Sequence, residues 1–197
     1  MLDLGVLPGG AYSSAWGINA GGVVVGAATP VGTSATHAFL YSSGTMTDLG
    51  TLGGAMSTAM GINDSGQVTG DAQTVSGSFH PFVYAGGSML DLGTLGGSNG
   101  SGTAINVSGQ IAGFAETSSG STHAFRYSSG TMVDLGVLAG GSFSAGFGID
   151  NNGQVVGFAD ISGLTDSRGV HLHRRDDARP ELACRLRFGW NDPNDRG

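Results

Sequence analysis

A segment of about 43 residues recurs along the chain, and this repetition constrains the fold more than any other feature. Four copies of a Met-x-Asp-Leu-Gly block begin at Met1, Met46, Met89 and Met132. Each block is followed in fixed order by an Ile-Asn or Ile-Asp pair, a Gly-x-(Val or Ile)-x-Gly segment and a strand that begins with His. Repetition at this period predicts a fold in which each unit buries its apolar face against the next.

Each repeat predicts four short strands separated by turns. After the Asp-Leu-Gly block, small and larger side chains alternate, as in the run from Ala15 to Ile18, which is the period of a β-strand. We therefore expect Trp16 and Ile18 on one face of that strand. An Asn or Asp then starts a tight turn that a Gly ends. These turn positions are Asn19 and Gly22, Asn63 and Gly66, Asn106 and Gly109, and Asp150 and Gly153.

The number of strands per repeat predicts the architecture. Four antiparallel strands in roughly 43 residues is the size of one β-propeller blade. We predict an all-β fold of tandem, four-stranded, propeller-like blades that is incomplete or open over the residues present. A β-solenoid is the alternative, although solenoid coils are usually shorter and stack parallel strands, whereas glycine turns join these strands as hairpins.

The repeats are predicted to occupy residues 1–171, and residues 172–197 a non-repeat tail. After His171 the pattern requires Ala-Phe, but the chain continues Leu-His-Arg-Arg and charged residues become frequent. Restoring two bases after the His171 codon permits Ala-Phe-Ile-Val from the same run, so we predict a shifted reading frame or a disordered segment here. Because Met1 lies inside the repeat consensus, we also predict that a signal segment and further blades precede it.

The charge distribution argues against a nucleic-acid partner. The net charge is −7, lysine is absent, and all eight arginines lie at or beyond Arg126. The acidic first 125 residues therefore repel phosphate groups and anionic membrane surfaces. No run of 18 apolar residues predicts a membrane span, and the single cysteine, Cys184, excludes an internal disulfide.

Several motifs recur together and resemble one family. They are His-Ala-Phe, Asp-Leu-Gly-x-Leu-x-Gly-Gly and Gly-Ile-Asn-x-x-Gly-Gln-Val. In this combination they resemble the HAF family of extracellular repeats, over residues 1 to about 171. The resemblance implies a secreted or envelope-exposed bacterial protein, and it brings no catalytic residues with it.

The recurrent histidines are the first candidates for a functional site. They occupy equivalent repeat positions, at His37, His80, His123 and His171. Neutral imidazole is a common metal ligand. Equivalent atoms around a propeller lie well apart unless they face the central channel, so we expect each His to hydrogen-bond a neighbouring blade, and we predict no metal and no cofactor.

The recurrent aspartates are the second candidates. They are Asp3, Asp48, Asp91 and Asp134. A calcium loop needs several carboxylates close together, whereas each of these loops has one. We expect them to accept backbone hydrogen bonds in the turn. The segment Asp150-Asn-Asn-Gly is the nearest to a calcium loop, but it lacks a distal Glu and is predicted to be a turn.

One strand position carries large side chains in three repeats. It holds Trp16, Met60, Thr103 and Phe147, for which we expect core packing between blades; an exposed aromatic platform for sugar is the alternative. Repetition without a singular catalytic group predicts a non-enzymatic, extracellular interaction module with an unknown protein or glycan partner. The other hypotheses are a glycan-binding propeller within a polysaccharide-active protein and a hydrolase or lyase with a site in the channel. Exposed edge strands predict self-association.

Overall fold

The computed structural model describes residues 1–161 and 168–172, and within these ranges every regular element is a β-strand. The strands form four antiparallel sheets, one for each sequence repeat, arranged like the blades of a propeller. The prediction of tandem, propeller-like blades is therefore confirmed, and the strands do not stack in parallel as in a solenoid. Among the described residues, no helix has the length and apolar character needed to cross a bilayer.

Each blade is a meander in which consecutive strands are neighbours. The first blade contains β1 (Ser13–Ile18), β2 (Val24–Ala28), β3 (His37–Ser42) and β4 (Thr45–Asp48). The second contains β5 (Gly53–Ile62), β6 (Val68–Thr74), β7 (Phe79–Ala85) and β8 (Ser88–Asp91). The third contains β9 (Gly96–Ile105), β10 (Ile111–Thr117), β11 (Thr122–Ser128) and β12 (Thr131–Asp134). The fourth, within the described part, contains β13 (Ser144–Ile149), β14 (Val155–Ala159) and β15 (Arg168–Leu172).

The hairpin between the third and fourth strands has the backbone geometry that its sequence favours. Ser42 pairs with Thr45, so the connection has the two residues Ser43 and Gly44, both with positive φ (50° and 83°). Such a type I′ turn matches the right-handed twist of the flanking strands. The third blade repeats it with Ser129 and Gly130. β15 ends at Leu172, one residue beyond the predicted end of the repeats, and the remainder of the predicted tail lies outside the described residues.

The core lies between blades rather than inside them. The first strand of each later blade packs against the first three strands of the blade before it. We call the surface of a blade that meets the following blade its leading face, and the opposite surface its trailing face. Val25 on the leading face of the first blade joins one apolar cluster with Val68 and Phe82 of the second. Burying an aromatic side chain of this kind contributes about 1.5–3 kcal/mol.

A β-bulge interrupts the first strand of every blade. In the first blade the register shifts between Ala15 and Gly17, which leaves Trp16 as the extra residue. The strand opposite has a glycine at this point, Gly26, because a Cβ atom there would overlap the Ser14 carbonyl oxygen. The same glycine recurs at Gly70, Gly113 and Gly157. The bulge therefore explains the second glycine of the Gly-x-(Val or Ile)-x-Gly segment.

The bulge also changes which side chains of the first strand share a face. The Thr103 hydroxyl donates to the Gly146 carbonyl of the next blade, so this position is on the leading face. Ile105, two residues later, packs with a cluster that includes Val83 of the preceding blade. The expectation that Trp16 and Ile18 share a face is wrong, because an inserted residue reverses the alternation that period two assumes.

Candidate functional site

Each recurrent histidine in the first three blades pairs with the recurrent aspartate of its own hairpin. His37 Nδ1 lies 2.8 Å from an Asp48 carboxylate oxygen, and His80 with Asp91 and His123 with Asp134 repeat this at 2.8 and 2.9 Å. The two residues sit at the far ends of the third and fourth strands, which the tight turn brings side by side. The observed partner is therefore in the same blade, not in a neighbouring blade as the sequence suggested.

The same aspartates also hold the turn that follows them. Asp48 Oδ1 accepts the Gly50 amide at 2.8 Å, and Asp91 and Asp134 accept the amides of Gly93 and Gly136 at 2.7 Å. Asp3 accepts the Gly5 amide in the same way at 2.9 Å. In the first three blades the carboxylate therefore joins the His strand to the segment that enters the next blade, which is a structural task.

The pairs remain separate from one another. Within the described residues, no group of three or more His, Cys, Asp or Glu side chains is placed to hold a metal ion. His171 lies on β15, and its charge contributes to lowering the pKa of Asp150, after the larger effect of the Gln154 amide that donates to this carboxylate. Asp150 also accepts the Asn152 amide, so its oxygens are engaged in the turn.

The turn asparagines form a ladder that runs from blade to blade. Asn63 Oδ1 accepts the Ser65 and Gln67 amides of its own turn, while its Nδ2 donates to the Asn106 carbonyl of the next blade at 3.0 Å. Asn19 and Asn106 donate to the equivalent carbonyls of Asn63 and Asp150 at 3.2 and 2.8 Å. Gly22, Gly66, Gly109 and Gly153 end these turns with φ of 75°, 78°, 74° and 78°. The turn positions thus serve both the hairpin and the junction between blades.

Aromatic side chains at the bulge are exposed. Trp16 is 59% exposed although a blade follows it, and Phe147 is 51% exposed. The expectation that this position packs in the core is wrong for both residues. In the fourth blade, Phe143 and Phe147 stack on either side of Phe158, with ring centroids 5.2 and 5.5 Å apart.

Two of the three repeat equivalents in the first blade are exposed aromatic residues. Tyr12 stands at the position of Phe143, Ala27 at that of Phe158, and Trp16 at that of Phe147. Tyr12 is 52% exposed, whereas Ala27 is buried. We call the two exposed aromatic residues, Tyr12 and Trp16, the aromatic strip.

A polar pair without equivalents in the other repeats lies between the second and third blades, and the sequence reasoning missed it. Ser101 Oγ, which is buried, donates to Asp71 Oδ1 at 2.9 Å. Burial raises the pKa of Asp71, and the hydrogen bond from Ser101 opposes that effect. The signal was a break in the repeat, because Ala27, Phe114 and Phe158 occupy the position of Asp71 in the other blades.

Neither the models of known protein families nor the curated proteins contain a match to this chain.

Proposed function

We propose that this chain is a non-enzymatic, extracellular interaction module of bacterial cells, related to the HAF repeats that its motifs resemble. The proposal rests on the contacts made by the recurrent histidine and aspartate side chains. The three His–Asp pairs repeat one geometry, and each aspartate also accepts the amide that positions the next segment. Side chains engaged in this way organise a repeated surface instead of converging on one reacting atom.

Two measurements test this proposal. The purified chain is incubated with bacterial and plant polysaccharides, and released reducing ends or unsaturated products are measured over time. We expect no turnover, and sustained turnover would contradict the non-enzymatic assignment. Antibody labelling of intact cells that express the protein should detect it at the surface or in the medium, whereas confinement to the cytoplasm would contradict the proposed location.

The exposed aromatic strip favours a glycan as the ligand. Aromatic rings offer a flat apolar surface, and tyrosine and tryptophan add a polar group that hydrogen-bonds in water. Tyr12 and Trp16 are four residues apart along an extended segment, which corresponds to about 13 Å. Covering such rings with a ligand removes apolar surface from water, which stabilises a complex. Exposed apolar patches mark binding sites for this reason.

Replacement of Trp16 tests the glycan as ligand. We expect Trp16→Ala to weaken binding to a retained polysaccharide at least about tenfold, equivalent to roughly 1.4 kcal/mol, because it removes the larger ring of the strip. Trp16→Phe should keep part of the affinity. Affinity electrophoresis in polysaccharide gels measures both.

Leu90→Ala is the control, because it removes an exposed apolar side chain from β8 of the second blade, outside the aromatic strip. It should leave retention unchanged. Equal retention of Trp16→Ala and the unaltered chain would show that the strip is not the binding surface.

A further inference from the structure

The loop between the second and third strands of the first blade departs from the repeat. It comprises residues 29–36 and is one residue longer than the equivalent segment of the second blade, residues 73–79. In the second blade the Thr74 amide and hydroxyl both donate to the Ser78 carbonyl, at 2.9 and 3.1 Å, which closes the loop. Pro30 replaces Thr74 in the first blade, and a proline has neither an N–H nor a hydroxyl to donate. The longer loop therefore lacks both closing hydrogen bonds.

The first residue of this loop also leaves space beside it. In the second blade, Gln73 bridges the same region, because its Oε1 accepts the Ala55 amide at 2.9 Å and its Nε2 donates to the Gly77 carbonyl at 3.0 Å. The first blade has Thr29 instead, whose Oγ1 accepts the Tyr12 amide at 3.1 Å. The shorter side chain keeps the contact to the preceding segment but does not reach across to the loop.

A cleft of about 480 Å³ lies between the two segments. This volume is within the range of ligand pockets, about 300–1,000 Å³. One side consists of Gly9, Gly10, Ala11 and Tyr12, and the other consists of Thr29, Pro30, Gly32, Thr33 and Ser34. Gly10 allows the two sides to meet at the base, because a Cβ atom there would overlap the Thr29 carbonyl oxygen.

The region that holds the cleft faces solvent even in a blade with a neighbour on each side. Met56 of the second blade, the equivalent of Tyr12, is 36% exposed. At the tip of the loop, both Val31 and its second-blade counterpart Val75 are exposed. Exposure is therefore a property of this edge of the repeat, and the cleft is accessible to a ligand.

The lining of the cleft suits a neutral ligand that carries hydroxyl groups. Its described residues include no charged side chain, and the chain has a net charge of −7, so an anion gains no partner there. The Oγ1 atoms of Thr29 and Thr33 accept backbone amides at 2.9–3.1 Å, which leaves the hydroxyl protons available to a ligand. The Tyr12 ring adds a flat apolar surface with a polar end.

We propose that this cleft binds one neutral hexopyranose unit of a polysaccharide. The Tyr12 ring stacks on a face of the sugar, and the hydroxyls of Thr29 and Thr33 donate to its oxygens. The polysaccharide then extends from the cleft along the aromatic strip towards Trp16. This inference rests on the glycan-binding function proposed above, because it names the unit of the glycan that is recognised and the place where it binds.

Titration of the isotope-labelled full chain with free sugars tests the cleft directly. The probes are methyl β-D-glucopyranoside, methyl α-D-mannopyranoside and methyl β-D-galactopyranoside, followed by amide chemical shifts. We expect at least one of them to shift the amides of Gly10, Thr33 and Ser34 in a saturable manner. Methyl β-D-glucuronide should bind at least about fivefold more weakly, because the described lining offers no cation to its carboxylate.

Replacement of Thr29 links these shifts to the cleft. Thr29→Gln copies the second blade, where Gln73 is compatible with the fold, and its longer side chain fills the cleft. It should weaken sugar binding at least about tenfold, whereas Thr29→Ser keeps the hydroxyl and the space and should bind within about threefold of the unaltered chain. Leu90→Ala, in β8, should match the unaltered chain.

The outcomes separate the cleft from the glycan-binding function. The inference is overturned if none of the three neutral glycosides causes a saturable shift at the cleft, or if Thr29→Gln binds as tightly as the unaltered chain. Should polysaccharide retention still depend on Trp16 in that case, the glycan-binding function stands and the cleft alone is excluded. Saturable shifts at the cleft without retention of any polysaccharide would support the cleft and contradict the aromatic strip.

Discussion

Asp71 shows how one residue that departs from a repeat changes the energetics of a junction. Its repeat equivalents are apolar, and the space around it is shaped for such side chains. The single hydrogen bond from Ser101 stabilises the carboxylate less than burial destabilises it, and the net effect is a raised pKa. The protonated form is therefore favoured in the folded protein relative to the unfolded chain.

The sign of this effect predicts the pH dependence of an Asp71→Asn variant. Because the folded-state pKa is raised, the contribution of Asp71 to stability is greatest below the ordinary carboxyl range and is lost as pH rises through the raised value. Asparagine keeps an oxygen that accepts from Ser101 and carries no charge. We expect a larger free energy of unfolding for the variant at pH 7, with a difference that shrinks as pH falls through the raised pKa and is lost below the ordinary value of 3.8, measured by urea unfolding.

The exposed Asp64 offers the control, because Asp64→Asn removes one negative charge from a residue that accepts the Ala20 amide at the surface. It reports the effect of net charge alone. A stability difference for Asp71→Asn that is independent of pH would mean that folding does not shift the pKa of Asp71. A loss of stability that is greatest at pH 7 would mean that the ionised Asp71 is a stabilising group.

At the scale of strands, the junction between the second and third blades lacks a hydrogen bond that the other two junctions have. Both the donor residue and the acceptor residue are replaced there. In the first and third junctions a buried serine accepts an alanine amide, from Ala38 to Ser57 and from Ala124 to Ser144, both at 2.8 Å. The second junction has Pro81 in place of the alanine, which has no N–H, and Gly100 in place of the serine. Donor and acceptor are absent together, so neither of the two is left without the other.

Restoring both groups together should therefore cost less than the sum of restoring each alone. Pro81→Ala introduces a buried N–H with no acceptor at Gly100, which costs about 1–3 kcal/mol. Gly100→Ser places a Cβ 2.9 Å from the Ala115 Cβ, 3.0 Å from the Phe114 carbonyl oxygen and 3.1 Å from the ring of Pro81, and such overpacking costs a similar roughly 1–3 kcal/mol. The double variant should be more stable than the sum of the single losses by about 1 kcal/mol or more, measured by denaturant unfolding.

The reverse exchange at the first junction, Ala38→Pro with Ser57→Gly, is the matched control and should show the same sign of coupling. Strictly additive single effects at both junctions would mean that serine and alanine do not act as a pair.

Sequence reasoning recovered the elements that depend on local pattern and missed those that depend on a neighbour. The strand number, the Asn and Gly turns and the blade period follow from alternation and turn chemistry within one repeat. The bulge at Trp16 did not follow, because an inserted residue looks like one more step of an alternating strand until its partner Gly26 is known. The His37–Asp48 pair was missed for a related reason, because both residues were recognised separately and only the hairpin register brings them together.

At the scale of the whole molecule, the blades form an array in which each contacts its neighbours in sequence. The stability of such an array is the sum of terms for each repeat and for each junction. The second and third blades have a junction on both faces, whereas the first and fourth each expose one face whose repeat equivalents are buried elsewhere. Local opening should therefore start at the ends of the array.

Amide hydrogen exchange measures this gradient directly. The second strands of the four blades, β2, β6, β10 and β14, are equivalent, so differences in their protection report the junctions. We expect amides of β2 and β14 to exchange at least about tenfold faster than those of β6 and β10, since each missing junction lowers the free energy of opening. Uniform protection would instead mean that the four blades open as one cooperative unit.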